Sequence, residues 1–141
     1  MIIALAGQQN SGKSTIFNQL AGCRAITSNF PGKTVQYTKS QVNYHGRVFD
    51  IVDLPGTYSL TSFDLAELES RKYLLKGEVD VVINVIDASL LSRSLELTKQ
   101  LMELEIPLVL CLNPVPAPNL LKYLINVGNI DAIYHNFSLN R

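Results

Sequence analysis

The 141-residue chain opens on a short apolar run, residues 1–6, that stops at Gly7 and reads as a buried β-strand. Residues 13–21 change period: Ile16, Phe17 and Leu20 share one helical face, and Gly22 follows as a stop signal. Residues 23–33 show no clear period and contain Asn29, Pro31 and Gly32, which predicts a loop. Residues 34–43 and 47–52 read as two strands joined by a tight turn at Tyr44-His45-Gly46, where His45 is a turn residue rather than a ligand or base.

A second loop over residues 55–62 precedes a helix from about Asp64 to Leu75. Residues 79–86 predict a strand, and Asp87 or Ser89 caps a helix whose Leu90, Leu97, Leu101 and Leu104 form one apolar stripe. Residues 107–112 read as a fifth strand. Strands alternating with helices predict an α/β domain with a mainly parallel sheet, the hairpin adding an antiparallel edge. After Leu112 the pattern fails. Pro114, Pro116 and Pro118 alternate and favour an extended path, residues 120–127 predict a short helix, and nothing firm follows Gly128.

Composition narrows the classes. Twelve basic and twelve acidic residues balance, so bulk charge gives no reason to expect nucleic acid or an anionic membrane as partner. Charged residues make up 17%, fewer than usual, which fits strands buried on both faces. Cys23 and Cys111 are far apart and read as two free thiols in a reducing compartment. The longest uncharged apolar stretch, residues 106–112, is too short to span a bilayer, so no membrane insertion by this chain and a cytoplasmic location are expected.

Three segments carry chemistry. Gly7-Gln8-Gln9-Asn10-Ser11-Gly12-Lys13-Ser14, followed by Thr15, is a G-x-x-x-x-G-K-S phosphate loop between a strand and a helix. Its backbone N–H groups wrap phosphates at a helix N-terminus, Lys13 reaches the β- and γ-phosphates, and the Ser14 hydroxyl ligates Mg²⁺. Asp53-Leu54-Pro55-Gly56 ends the next parallel strand: Asp53 holds a magnesium-bound water and Gly56 offers its N–H to the γ-phosphate. Thr34, within Gly32-Lys33-Thr34-Val35-Gln36, completes the magnesium shell when triphosphate is bound. Lys13, Thr34 and Gly56 are thus the expected catalytic residues.

With these runs, Asn29-Phe-Pro-Gly-Lys-Thr-Val35, Asp53-Leu-Pro-Gly-Thr-Tyr-Ser-Leu-Thr61 and Val81-Val-Ile-Asn-Val-Ile-Asp-Ala-Ser89, the chain resembles the G domain of the prokaryotic ferrous iron transporter FeoB. The resemblance covers residues 1 to about 113, leaving 114–141 as a divergent tail. It implies a P-loop GTPase fold that binds GTP and GDP with Mg²⁺, hydrolyses GTP slowly and regulates a membrane domain that moves Fe²⁺. It also implies a K⁺ role for Asn10, matching the phosphate-loop asparagine of potassium-activated relatives. Thr57 stands where many small GTPases carry a water-orienting glutamine, so water is expected to be placed by switch-loop backbone or ordered solvent.

The resemblance breaks at the base-recognition motif. Asn113 is present, but the fourth position of Asn-x-x-Asp is Pro116, which cannot accept hydrogen bonds from guanine through a side chain. Losing two such bonds weakens guanine binding by about a hundredfold to several thousandfold. A last strand, a Ser-Ala loop and a closing helix are not found in the sequence, Ser138-Leu139 being a poor substitute. The alternative expectation is therefore a truncated or frameshifted remnant that binds phosphates weakly and does not hydrolyse GTP.

Overall fold

A computed structural model describes residues 1–22, 25–61 and 64–113, together with the backbone of Leu124–Val127. The described strands are β1 (Ile2–Gly7), β2 (Ile26–Asn29), β3 (Gln36–Tyr44), β4 (Arg47–Asp53), β5 (Val81–Asp87), β6 (Leu108–Asn113) and β7 (Leu124–Val127). The helices are α1 (Lys13–Ala21), α2 (Leu65–Leu75) and α3 (Leu91–Met102).

The strands form one sheet in the order β2-β3-β4-β1-β5-β6-β7. β1 pairs parallel with β4 and β5, and β5 pairs parallel with β6. The β2–β3, β3–β4 and β6–β7 pairs are antiparallel, so only β3 and β7 run against the others. This is the α/β P-loop architecture expected from the pattern, with the phosphate-loop strand at its centre.

Period-2 alternation sorts β1 between two cores. Ala4 and Ala6 face a cluster with Val52, Leu54, Leu74, Val82, Leu97, Leu101 and Leu108. Leu5 faces the other side, against Ile16, Phe17, Ile51, Val85 and Cys111. Helix α1 therefore covers one face, while α2 and α3 supply the other. Burying each large side chain such as Phe17 or Leu5 contributes about 1.5–3 kcal/mol. Burial also pushes the Cys111 thiol from near 9 up to about 11, so it behaves as an inert core residue. Cys23 lies outside the described residues.

Four local expectations need correction or refinement. Ile26–Asn29, expected within a loop, is a strand: its register pairs Ile26 with Lys39 and Asn29 with Gln36, and these backbone bonds replace the missing hydrophobic alternation. Leu90 leaves the predicted stripe and is 53% exposed, whereas Leu97 and Leu101 are 1% exposed. The cause is a 3₁₀ turn over Ala88–Leu90, whose tighter winding shifts the phase before α3 begins. Asp87, rather than Ser89, caps that turn by accepting from the Ser89 N–H at 2.8 Å.

Leu124–Val127, expected at the end of a short helix, is a strand antiparallel to β6. It covers the edge of β6, where the sequence showed no further strand. The rest of the proline-rich tail, with Pro116 and Ser138-Leu139, lies outside the described residues. The His45-Gly46 turn matches expectation: both residues have positive φ, 49° and 76°, as a two-residue hairpin loop requires. Among the described residues no helix is long and apolar enough to cross a membrane.

Candidate nucleotide site

The site lies at the C-terminal end of β1, where the chain leaves the sheet through residues 8–12 and enters α1. Asn10 and Gly12 both take positive φ, 62° and 87°, which curls successive backbone N–H groups inward. Gly12 has a second reason to lack a side chain: a Cβ there would lie 2.0 Å from Asn113 Nδ2. That same Nδ2 donates to the Ser11 carbonyl at 2.9 Å, so the end of β6 braces the loop from behind. Gly7 packs against β5, where a Cβ would meet the Val85 carbonyl at 2.6 Å.

Asp53, at the end of β4, gathers the expected metal and phosphate residues. Its Oδ1 forms a short ion pair with Lys13 Nζ, and its Oδ2 accepts from the Ser14 hydroxyl at 3.0 Å. Lys13 and Asp53 are 7% and 9% exposed, so each buried charge is compensated by the other. Residues 8–10, 12–15 and Gly56 line a cleft of about 510 Å³ at this point. Gly56 sits directly beneath Gln9, since a Cβ on it would lie 2.7 Å from Gln9 Cγ.

The other expected residues are placed differently. Leu54 is 1% exposed and packs in the core, its N–H donating to the Leu5 carbonyl at 3.1 Å. Pro55 is half-buried. Gly32, Lys33, Thr34 and Gln36 are exposed in and beside the β2–β3 turn, and Val35 is half-buried against the core. That turn is closed by the Phe30 N–H donating to the Val35 carbonyl at 2.9 Å. Thr34 is exposed and is not among the residues lining the cleft.

Several residues that shape the site were not anticipated. Glu67 of α2 is buried, and its Oε1 accepts from the Tyr58 and Ser59 N–H groups at 2.7 and 3.3 Å. Gln100 of α3 accepts from the Leu60 N–H at 2.5 Å. The Arg93 guanidinium stacks 4.7 Å from the Tyr58 ring, and the Arg93 carbonyl accepts from Gln8 Nε2 at 2.8 Å. Together they hold the segment after Gly56 between two helices and tie it to the phosphate loop. These pairs join residues far apart in sequence, and no short motif marks them.

The donor set suits Mg²⁺: one carboxylate and one hydroxyl, both hard oxygen ligands, beside a phosphate cradle. No group of three or more His, Cys, Asp or Glu side chains capable of holding a metal occurs among the described residues.

Comparison with known proteins gives the same picture. Residues 1–134 match the family model described as ferrous iron transport protein B, a span that runs past Asn113. Over 102 residues the chain is 47% identical to the Fe(2+) transporter FeoB of Methanocaldococcus jannaschii, covering 72% of this chain and 15% of that protein. The chain thus spans only a small part of the relatives' length. The crystal structure of the T. maritima FeoB G domain superposes with a TM-score of 0.76 at 38% identity, covering 79% of this chain and 70% of that one. A GDP-bound mutant of S. thermophilus NFeoB gives 0.76 at 40% identity, covering 80% and 44%. The chain belongs to the ferrous iron transport protein B family, of which it carries the N-terminal G domain.

Proposed function

We propose that this domain binds GTP and GDP with Mg²⁺, hydrolyses GTP slowly and, as part of a longer family protein on the cytoplasmic face of the membrane, regulates the passage of Fe²⁺ through a membrane domain. The observation that carries the reading is the convergence of Lys13 and Ser14 on Asp53, with Gly56 in the same cleft. The ends of two strands, β1 and β4, and the start of α1 build that arrangement, and together they bring the residue types that phosphoryl transfer requires. The GDP carried by the S. thermophilus relative supports a guanine nucleotide as ligand.

The residues divide the work. Backbone N–H groups of 8–15 bind the phosphates, and Lys13 exchanges Asp53 for the β- and γ-phosphate oxygens. Ser14 and Asp53, with Thr34 brought in from its hairpin, hold Mg²⁺, which neutralises charge building on the phosphates. Asn10, exposed at the cleft, offers its side-chain oxygen to K⁺. Asn113, braced against Ser11, marks the side on which the base lies.

Titration with fluorescent guanosine and adenosine diphosphates in Mg²⁺ tests the binding half, and phosphate release in K⁺ against Na⁺ tests the catalytic half. Guanine preference, with turnover that is lost in Lys13→Ala, is the expected result. Equal weak binding of both bases without turnover would favour the second reading, a phosphate-binding remnant, which Pro116 supports.

A further inference from the structure

Hydrolysis requires a water molecule held in line behind the γ-phosphate, and the residue after Gly56 is badly placed to hold it. Thr57 is 2% exposed, and its N–H donates to the Gly7 carbonyl at 2.9 Å, so this residue is part of the packed interior. Three amide side chains line the cleft. Gln8 is buried and committed, its Nε2 donating to the Arg93 carbonyl at 2.8 Å. Asn10 lies further from Gly56: the three atoms nearest a Cβ on Gly56 all belong to Gln9, Cγ at 2.7 Å and Cα and N at 3.1 Å. Gln9 is exposed, lines the cleft and has no side-chain hydrogen-bond partner among the described residues.

We propose that Gln9 is the water-orienting residue of this domain, supplied by the phosphate loop instead of by the segment after Gly56. The proposal rests on the GTP-hydrolysis reading above. A carboxamide suits the task because it carries an acceptor and a donor on one rigid plane. Oε1 accepts a hydrogen bond from the water while Nε2 donates to a γ-phosphate oxygen, fixing the line of attack. Gln9 takes no proton. The water oxygen bonds to the γ-phosphorus, and the bond from that phosphorus to the β–γ bridging oxygen breaks with its electron pair going to GDP. Both protons of the water leave on the released dihydrogen phosphate.

The test compares the full chain with Gln9→Ala and with Gln9→Met, which keeps the packing over Gly56 but removes the amide. Single-turnover GTP hydrolysis, GDP affinity and capture of aluminium fluoride beside bound GDP are measured for each. Both variants are expected to lose about 10- to 100-fold in rate and a similar factor in fluoroaluminate capture, with GDP affinity within about twofold. A Gln9→Met chain that hydrolyses like the wild type overturns the proposal. So does a parallel fall in GDP affinity, which would make Gln9 a packing element of the loop. A wild-type chain that binds GDP but neither turns over GTP nor captures fluoroaluminate overturns the hydrolysis reading itself, and this role with it.

Discussion

The phosphate loop and the β2–β3 turn are built around the same device and end in opposite conditions. Each bends at a glycine of positive φ, Gly12 at 87° and Gly32 at 70°, and each is followed within two residues by a hydroxyl expected to meet Mg²⁺. Gly12 is enclosed: Asn113 presses on it, and Lys13 and Ser14 are tied to Asp53. Gly32 has nothing within 4 Å of where a Cβ would stand, and residues 31–34 are all exposed. The turn is held by the Phe30–Val35 backbone bond, by the Lys33 N–H donating to the Phe30 carbonyl at 2.9 Å, and by Phe30 packing on Tyr37 and Tyr73 at 4.7 and 6.0 Å. A cradle that must present N–H groups to phosphate at once gains from being over-determined. A segment that must report which nucleotide is present has to move cheaply, and few contacts make that possible.

Alanine at the two glycines separates these conditions, and here the largest effect is expected. Gly12→Ala combines a left-handed backbone with a collision against Asn113, so a stability loss of about 2–4 kcal/mol is expected in urea unfolding, with nucleotide binding abolished. Gly32→Ala meets only the backbone preference and should cost about 1 kcal/mol, leaving GDP affinity unchanged. Equal losses at the two sites would show that the Asn113 brace contributes nothing.

Thr34→Ala sharpens the contrast further. The side chain is exposed and does not line the cleft, so its removal should change stability by less than about 0.5 kcal/mol. On the proposed function, Mg²⁺-dependent hydrolysis should nevertheless fall while GDP affinity holds, because that reading requires the hydroxyl only when triphosphate is bound. Thermal unfolding and phosphate release, measured on one preparation, check both halves. Loss of stability with activity intact would place Thr34 in the fold instead of in the switch.

The same contrast explains what was legible in the amino-acid sequence. Residues 1–22 were readable because strand period, helix period and the G-x-x-x-x-G-K-S spacing agree over one short stretch. The Lys13–Asp53 pair spans forty positions, yet a motif stands at each end. Strand β2 carried no such signal: Ile26, Thr27 and Asn29 are all exposed, so no burial alternation existed to be read, and pairing with β3 alone makes it a strand. Leu90 fitted a helical stripe that a 3₁₀ turn then dephased. The grip of Glu67 and Gln100 on residues 58–60 depends on how two helices pack, which no local pattern encodes. Leu124–Val127 was read by local propensity, whereas β6 offered an unpaired edge that settles the backbone as strand.

The smallest expected effect lies at the other end of the scale from Gly12, at the exposed exit of β5. The Ser89 hydroxyl and N–H donate to Asp87 Oδ1 at 2.6 and 2.8 Å and hold its carboxyl below the usual carboxylate range. A carboxyl depressed in the folded state stabilises the fold above its unfolded pKa, about 3.9, and loses that contribution as pH falls through the lower, folded value. Solvent screens the group, so the contribution is small. Ser89→Ala removes the hydroxyl and keeps the backbone donor, so it should lower the melting temperature slightly at pH 7. The difference should shrink as pH falls from about 4 through the lower, folded value, below which Asp87 is protonated with or without the hydroxyl. Phosphate binding should be untouched, because Asp87 and Ser89 are not among the residues that line the cleft. A Ser89→Ala deficit that stays constant all the way down the acid range would mean that the hydroxyl acts through helix capping alone and not through the Asp87 charge.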